Sequence, residues 1–246
     1  MLAGTLLSVL SLMGGALGAP VEHVGNILAR QSRVGHDDLS PSPERVQNNA
    51  VGAAIARFNP RLHINHGCQP YTAVNDAGDI SGGLKPTGTS EGGCRDKSRG
   101  QVYARGTWHN GKFAIMYAFY FPKDQPNDGV PIGSHRHDWE CVVVWLNNPA
   151  VENPEILGGA PSAHGNFAPT TTPQRDGDKL LVEYFTQDVR NHELRFSSTA
   201  GQTYPVLDWD AMTPEMRTAL TNADFGSANV PFKDENFVNN LNEAFV

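Results

Sequence analysis

Long apolar runs, cysteine and clustered positive charge are all scarce in this chain, and each scarcity removes a class of protein. Beyond an N-terminal stretch from Leu2 to Leu17, the longest apolar run lies around Val142 to Leu146. That is far short of the roughly 20 residues a helix needs to cross a bilayer. Any membrane action is therefore expected from the surface. Lys and Arg number 19 against 26 Asp and Glu, a formal net charge of -7, and the basic residues form no cluster. Nucleic acids and anionic lipid surfaces recruit proteins through such clusters, so no nucleic-acid partner is expected. If a membrane is the target, recognition must come from a specific head group. No internal repeat is visible, and no nucleophile sits in an evident pairing with a base, so no enzymatic turnover is expected.

With only three cysteines, one internal disulfide can close and one thiol is left over. Cys68 and Cys94 are the natural pair. Both lie in Gly-rich irregular sequence (HGCQPY and EGGCRD), and their crosslink would contribute roughly 3 to 4 kcal/mol. Cys141 follows a strand pattern and is expected as a buried free thiol; the rival pairing uses Cys141 in place of one partner.

What is present describes one folded domain. A chain of 246 residues can bury a substantial core, and 25 Gly with 17 Pro point to many turns and short strands. Residues 1–18 read as a secretory signal, with Ala16 and Gly18 placed for cleavage before Ala19. Residues 19–41 read as a flexible leader or arm, and 42–246 as the domain. Ser42 and Pro43 open an expected helix that Asn59-Pro60 stops. Residues 62–98 are Gly-, Pro- and Asn-rich. A hairpin follows, Gln101–Trp108 and Lys112–Phe121 about Asn110-Gly111, with Phe113, Ile115, Tyr117, Phe119 and Phe121 on one core-facing side. Another strand covers HRHDWECVVVWL, more strands follow, and two helices close the chain from Thr213-Pro214 and from Asp234. Strands in series with helices at the ends predict a mainly β protein, an antiparallel β-sandwich flanked by about three α-helices.

The stretch from Asp124 to Glu140 carries the chemistry. Alternation along a strand places Asp138 and Glu140 on one face, Cα atoms about 6.5 to 7 Å apart, so their carboxylates can flank one cation. Trp139, Cys141, Val143 and Trp145 then point the other way, into a core. His135 has the wrong parity for a continuous strand and would reach the same cation from the preceding loop. His137 has core parity. Asp124 could fold back from the far end of the loop as a fourth ligand. Three carboxylates and an imidazole without a thiol favour Mg²⁺ or Ca²⁺, with Mn²⁺ next, over structural zinc. The plainer alternative is a solvated acidic strand edge.

The run AIMYAFYFPKDQPNDGVPIGSHRHDWECVVVWL, residues 114–146, closely resembles the signature of the necrosis- and ethylene-inducing peptide-like proteins, whose heptapeptide reads GHRHDWE. Ser134 stands where that heptapeptide has Gly, and the spacer from Asp124 to His135 is longer than in some members. The likeness continues through GCQPYTAVNDAGDISGGLKPTG, GCRDKSRG, SAHG and NHELRF, and the cysteine contexts resemble the two-cysteine, type 1 branch. The resemblance implies an actinoporin-like sandwich with a divalent cation at its rim, held by Asp124, His135, Asp138 and Glu140. It implies His164 and His192 as further cavity positions, and His137 is retained as a candidate beside them. It also implies a secreted cytolysin that binds the sugar head group of plant glycosyl inositol phosphorylceramides, touches the bilayer through loop tips, and engages plant immune receptors. The alternatives are a non-lytic sugar-binding or immunity-triggering member, and a secreted metal-dependent polysaccharide hydrolase or lyase with His137 or His192 as base.

Overall fold

The computed structural model describes Met1, residues 32–186 and residues 191–246. The expected signal sequence and most of the expected leader lie outside them. The end of that leader is part of the fold and not an arm. Arg33–Val34 (β1) pairs in parallel with Ile80–Ser81, and Leu39 is buried. The first helix also departs from expectation. It spans Ala50–Arg57 (α1), and its cap is Asn49, whose side chain accepts from the Gly52 amide at 2.9 Å. The residues before it are extended because Arg45 takes its backbone bonds from a strand edge: its N–H donates to Val206 O, and its carbonyl accepts from Asp208 N.

The remaining elements, in chain order, are β2 (Arg61–Ile64), β3 (Ile80–Ser81), β4 (Val102–His109), β5 (Lys112–Asp124), β6 (His135–Leu146), β7 (Ile156–Ala163) and β8 (Asn166–Phe167). They continue with β9 (Arg175–Asp176), β10 (Lys179–Thr186), β11 (His192–Phe196), β12 (Val206–Asp208), α2 (Pro214–Asn222) and α3 (Asp234–Glu243). The larger sheet has the order β12-β4-β5-β6-β7-β8, and the smaller has β11-β10-β2 with β9 against β10. Adjacent strands are antiparallel except at the edges, where β12 runs parallel to β4 and β2 to β10. Those edge strands arrive by long connections, which parallel pairing requires. The central hairpin turns through Asn110 and Gly111, both at positive φ (46° and 81°), as a two-residue turn demands.

Burial of β5 explains the layering. Its odd residues face the smaller sheet and α1: the Phe121 ring stacks on Tyr184 at 3.8 Å, and Tyr117 Oη donates to Ile55 O. The expected single core face is only half of the picture, since the even residues are buried too. Tyr120 packs on Phe225, and on β6 Trp139 packs on Phe232 while Trp145 Nε1 donates to Ala244 O. The C-terminal segment thus forms a second core on the outer face. Cys68 and Cys94 are bonded, with Cα atoms 5.1 Å apart, and Cys141 is a buried free thiol. Thr213 caps α2 through the Met216 amide with Pro214 at its first position, whereas α3 begins at Asp234 without a side-chain cap.

Candidate metal and ligand site at the sandwich rim

Strands β5 and β6 run side by side to one end of the sandwich, where residues 125–134 join them. Their register sets Phe121 opposite Asp138 and Asp124 opposite His135. In an unbroken ladder those two pairs would fall on opposite faces, because side chains alternate. His137 resolves the conflict. It adopts φ 68°, a left-handed conformation that bulky residues rarely hold, opposite Pro122, which has no N–H to donate. The strand end turns there, and Asp124, His135 and Asp138 present ligand atoms within 4.8 Å of one another. His135 therefore reaches the acids from the first residue of a strand, not from the loop, and the cost of the left-handed residue, about 1–3 kcal/mol, is carried by the surrounding structure.

His137 itself faces away from this cluster. Its Nδ1 lies 2.7 Å from Tyr120 Oη, and its ring meets Phe225 edge-on at 5.1 Å. Burial first, and then the charges of Arg33 and Arg136, lower its pKa to about 4, so it is neutral. It is an anchor for the turn.

The orientation of each ligand is fixed from behind. His135 Nδ1 sits 2.7 Å from the His137 carbonyl and must carry the proton, which leaves Nε2 with a free lone pair 3.4 Å from Asp124 Oδ2. Asp124 is buried and accepts from His192 twice: the amide at 3.0 Å to Oδ2 and Nδ1 at 2.5 Å to Oδ1. Tyr184 Oη donates to Asp138 Oδ2 at 2.9 Å. Behind these, His66 Nδ1 lies 2.8 Å from His192 Nε2, and the two rings stack at 5.0 Å. His66 and Tyr184 were not singled out by the sequence pattern, and Ser162, though inside the SAHG segment, was not read as a partner of Glu140, because these contacts arise only through the fold. The alternation of β10, which turns Tyr184 inward, was the one available hint.

Glu140, the next acid on the same face, stands apart from the three-residue cluster, and its carboxylate accepts a hydrogen bond from Ser162 Oγ. His164 occupies a tight turn with Gly165, at φ 49° and 76°, with Nε2 3.2 Å from Glu193 Oε2. Of the sequence-derived candidates, Asp124, His135, Asp138 and His192 meet, Glu140 stands beside them on Ser162, His164 pairs with Glu193 next to His192, and His137 turns to Tyr120.

The site carries more negative charge than its protein partners neutralise. Among the described residues, the basic partners of Asp124 are His135 and His192, imidazoles that carry charge only when protonated. Burial first, then the charge of Asp124, pushes the Asp138 carboxyl up to about 6. Burial and Asp138 push Glu140 well above the usual carboxylate range. Carboxylates and one lone-pair imidazole, oriented and short of positive charge, form a donor set that can hold a divalent metal ion.

Residues 52–244 match the family model described as "Necrosis inducing protein (NPP1)". The chain belongs to the necrosis-inducing protein family. It is 44% identical over 220 residues to "NLP effector protein 10" of Phytophthora capsici, covering 88% of this chain and 93% of that protein. A solved structure described as "Toxin fold as basis for microbial attack and plant defense" superposes with TM-score 0.82 at 42% identity, over 87% of this chain and all of the other. A second, "NLPPya in complex with mannosamine", gives TM-score 0.81 at 42% identity, over 87% of this chain and 100% of that one. The necrosis-inducing fold is thus an actinoporin-like β-sandwich whose rim, in this member, carries the Asp124–His135–Asp138 cluster. Relatives carry the names of effectors and toxins, and among the described residues no helix is long and apolar enough to cross a membrane.

Proposed function

We propose that this chain is a secreted toxin that recognises sugar at the surface of plant cells and damages their plasma membrane. Asp124, His135 and Asp138 would hold Mg²⁺ or Ca²⁺, with Mn²⁺ the next candidate, and Glu140, the third carboxylate, would be the fourth ligand. When bound, the cation would neutralise the clustered carboxylates and offer an open position to a sugar hydroxyl. His192 keeps Asp124 aimed inward, His135 presents Nε2, and Tyr184 holds Asp138. The target is the glycosyl inositol phosphorylceramide head group, with His164 as a further contact from its turn.

The observation that carries this reading is the charge-deficient Asp124–His135–Asp138 cluster at one end of the β5–β6 pair in a necrosis-family sandwich. A relative solved with an amino sugar supports a carbohydrate ligand. The effector name of the Phytophthora relative and the apolar N-terminal run support export.

Leakage of dye from liposomes tests the reading. Vesicles with and without glycosyl inositol phosphorylceramide are treated with the wild type, with Asp138→Ala, and with wild type plus chelator. Leakage that requires the lipid, the cation and Asp138 is expected. Sugar binding without leakage would select a non-lytic, immunity-triggering role through plant receptors. Depolymerised wall polysaccharide with no leakage would replace the toxin with an enzyme.

A further inference from the structure

The loop that joins the two outer ligands is built to enter lipid. Residues 125–134 leave the sandwich at Asp124 and return at His135, so both feet of the loop are members of the acidic cluster. Its tip stands clear of the protein, with Val130 41% and Ile132 80% exposed. Among the described residues, the other large exposed apolar side chains are Met1, Trp108, Val151 and Val238, each from a different segment. Trp108, for example, sits beside the Asn110-Gly111 turn, at the end of β5 remote from Asp124.

The loop contains no Lys or Arg, and its one acid is held at the base. Asp128 Oδ1 accepts from Ser90 N at 2.7 Å and Ser90 Oγ at 2.8 Å. The base is also pinned by Gln125 Nε2 and Gly129 N, both donating to Gly88 O at 2.7 Å. Above that base part of the backbone is already paired: Ser134 N donates to Pro131 O, Ser134 Oγ to Val130 O, and Val130 N to Asn127 O, while Pro131 has no N–H to satisfy. Each group so paired lowers the cost of taking the loop tip out of water. Two aliphatic side chains offer far less than the roughly 800 Å² per partner of a stable protein interface, yet they suit shallow insertion beside a head group that is already held. The net charge of -7 points to neutral lipid rather than an anionic surface.

We propose that the 125–134 loop is the membrane-entering element, with Val130 and Ile132 seated just below the head groups of a neutral bilayer while Asp124 and His135 at its feet hold the cation. This deepens the membrane reading above and rests on it.

The test compares the full-length wild type, V130S/I132S and I132W on phosphatidylcholine vesicles with and without glycosyl inositol phosphorylceramide, in the presence of Mg²⁺. The double variant should bind glycolipid vesicles about 10- to 100-fold more weakly, since each side chain contributes about a tenfold factor in affinity when buried. Its calorimetric affinities for Mg²⁺ and for soluble mannosamine should match the wild type. Emission of I132W, taken as the difference from wild type, should shift to the blue on these vesicles and be quenched by doxyl-labelled lipid. Wild-type binding with an equal V130S/I132S affinity, or an I132W difference emission that stays unquenched on bound vesicles, overturns the insertion proposal and leaves the toxin reading standing. Absence of wild-type binding to any glycolipid vesicle overturns both.

Discussion

Strand β10 carries two buried acidic environments back to back, and they are resolved in opposite ways. On the outer face of the smaller sheet, Glu183 lies directly across from Arg195 on β11 and His63 on β2. Arg195 contacts it at 2.5 Å and His63 at 3.0 Å. Burial pushes the Glu183 carboxyl up, but the hydrogen bonds and charges of Arg195 and His63 outweigh it, and the net shift is downward. One residue on, Tyr184 points inward to Asp138, which has Asp124 beside it and imidazoles in place of an arginine. There the carboxyl moves upward. A buried acid completed by its own chain is architecture, whereas one left short of positive charge is a receptor for it.

The largest consequence separates the two faces by substitution. Asp138→Asn keeps the side-chain shape but removes a ligand. Loss of groups behind a ligand already costs 10- to 100-fold in metal affinity, so a drop of about 100-fold or more is expected in calorimetric titration with Mg²⁺ or Ca²⁺. The cation-free variant should melt higher than wild type, because a like-charge contact is gone. Glu183→Gln should show the reverse: unchanged cation affinity and a loss of about 1 kcal/mol in denaturant unfolding, kept modest because Arg195 is half exposed and can return to water. Equal cation affinities for the two variants would erase the distinction between the faces.

The same contrast predicts opposite pH slopes. A carboxyl whose folded pKa is raised is favoured by folding in its protonated form, so its contribution is complete below about 4 and fades as pH rises towards about 6. In chelator, the stability difference between wild type and Asp138→Asn should therefore turn against wild type across that window. With saturating Mg²⁺ the sign should reverse, since the ion binds the ionised form. Glu183, whose pKa is lowered, contributes stability above its unfolded value and loses it as pH falls through the folded one. Wild type minus Glu183→Gln should thus rise with pH up to the unfolded Glu value, whereas wild type minus Asp138→Asn falls between about 4 and about 6, and curves of the same sign would refute the assignment of roles.

The sequence made the frame of this comparison legible and hid its detail. Alternation along HRHDWECVVVWL was enough to send Asp138 and Glu140 to one face and Trp139, Cys141, Val143 and Trp145 to the other, because a strand buried on both sides keeps its period of two. The Asn110-Gly111 hairpin and the Cys68–Cys94 pair were likewise local chemistry. That His135 joins the acids was expected, but its route was not legible, since it depends on a left-handed His137 that no rule assigns to that position. The cap of α1 was misplaced at Ser42 because the competing bonds of Arg45 come from β12, far along the chain. The hold of Ser162 on the Glu140 carboxylate was hidden as well, because it comes from the neighbouring strand. In each case the missing information was a partner supplied by tertiary packing.

The smallest expected effect probes how far the receptor-like face extends behind its ligands. His192 Nδ1 donates to Asp124, so its Nε2 is an acceptor, and His66 Nδ1 must supply the proton between them. Burial and the neighbouring His192 lower the His66 pKa, consistent with a neutral ring in that tautomer. Removing the donor should let the His192 ring reorient and loosen Asp124. His66→Ala and His66→Phe are each expected to weaken Mg²⁺ binding by roughly three- to tenfold, at the low end of what groups behind a ligand contribute. Phe preserves the stacked ring and lacks the N–H, so a loss shared by Ala and Phe but largely recovered in His66→Asn, whose amide can donate, assigns the effect to the hydrogen bond rather than to packing. If all three variants titrate like the wild type, the receptor ends at His192, and His66 belongs with Glu183 to the architecture.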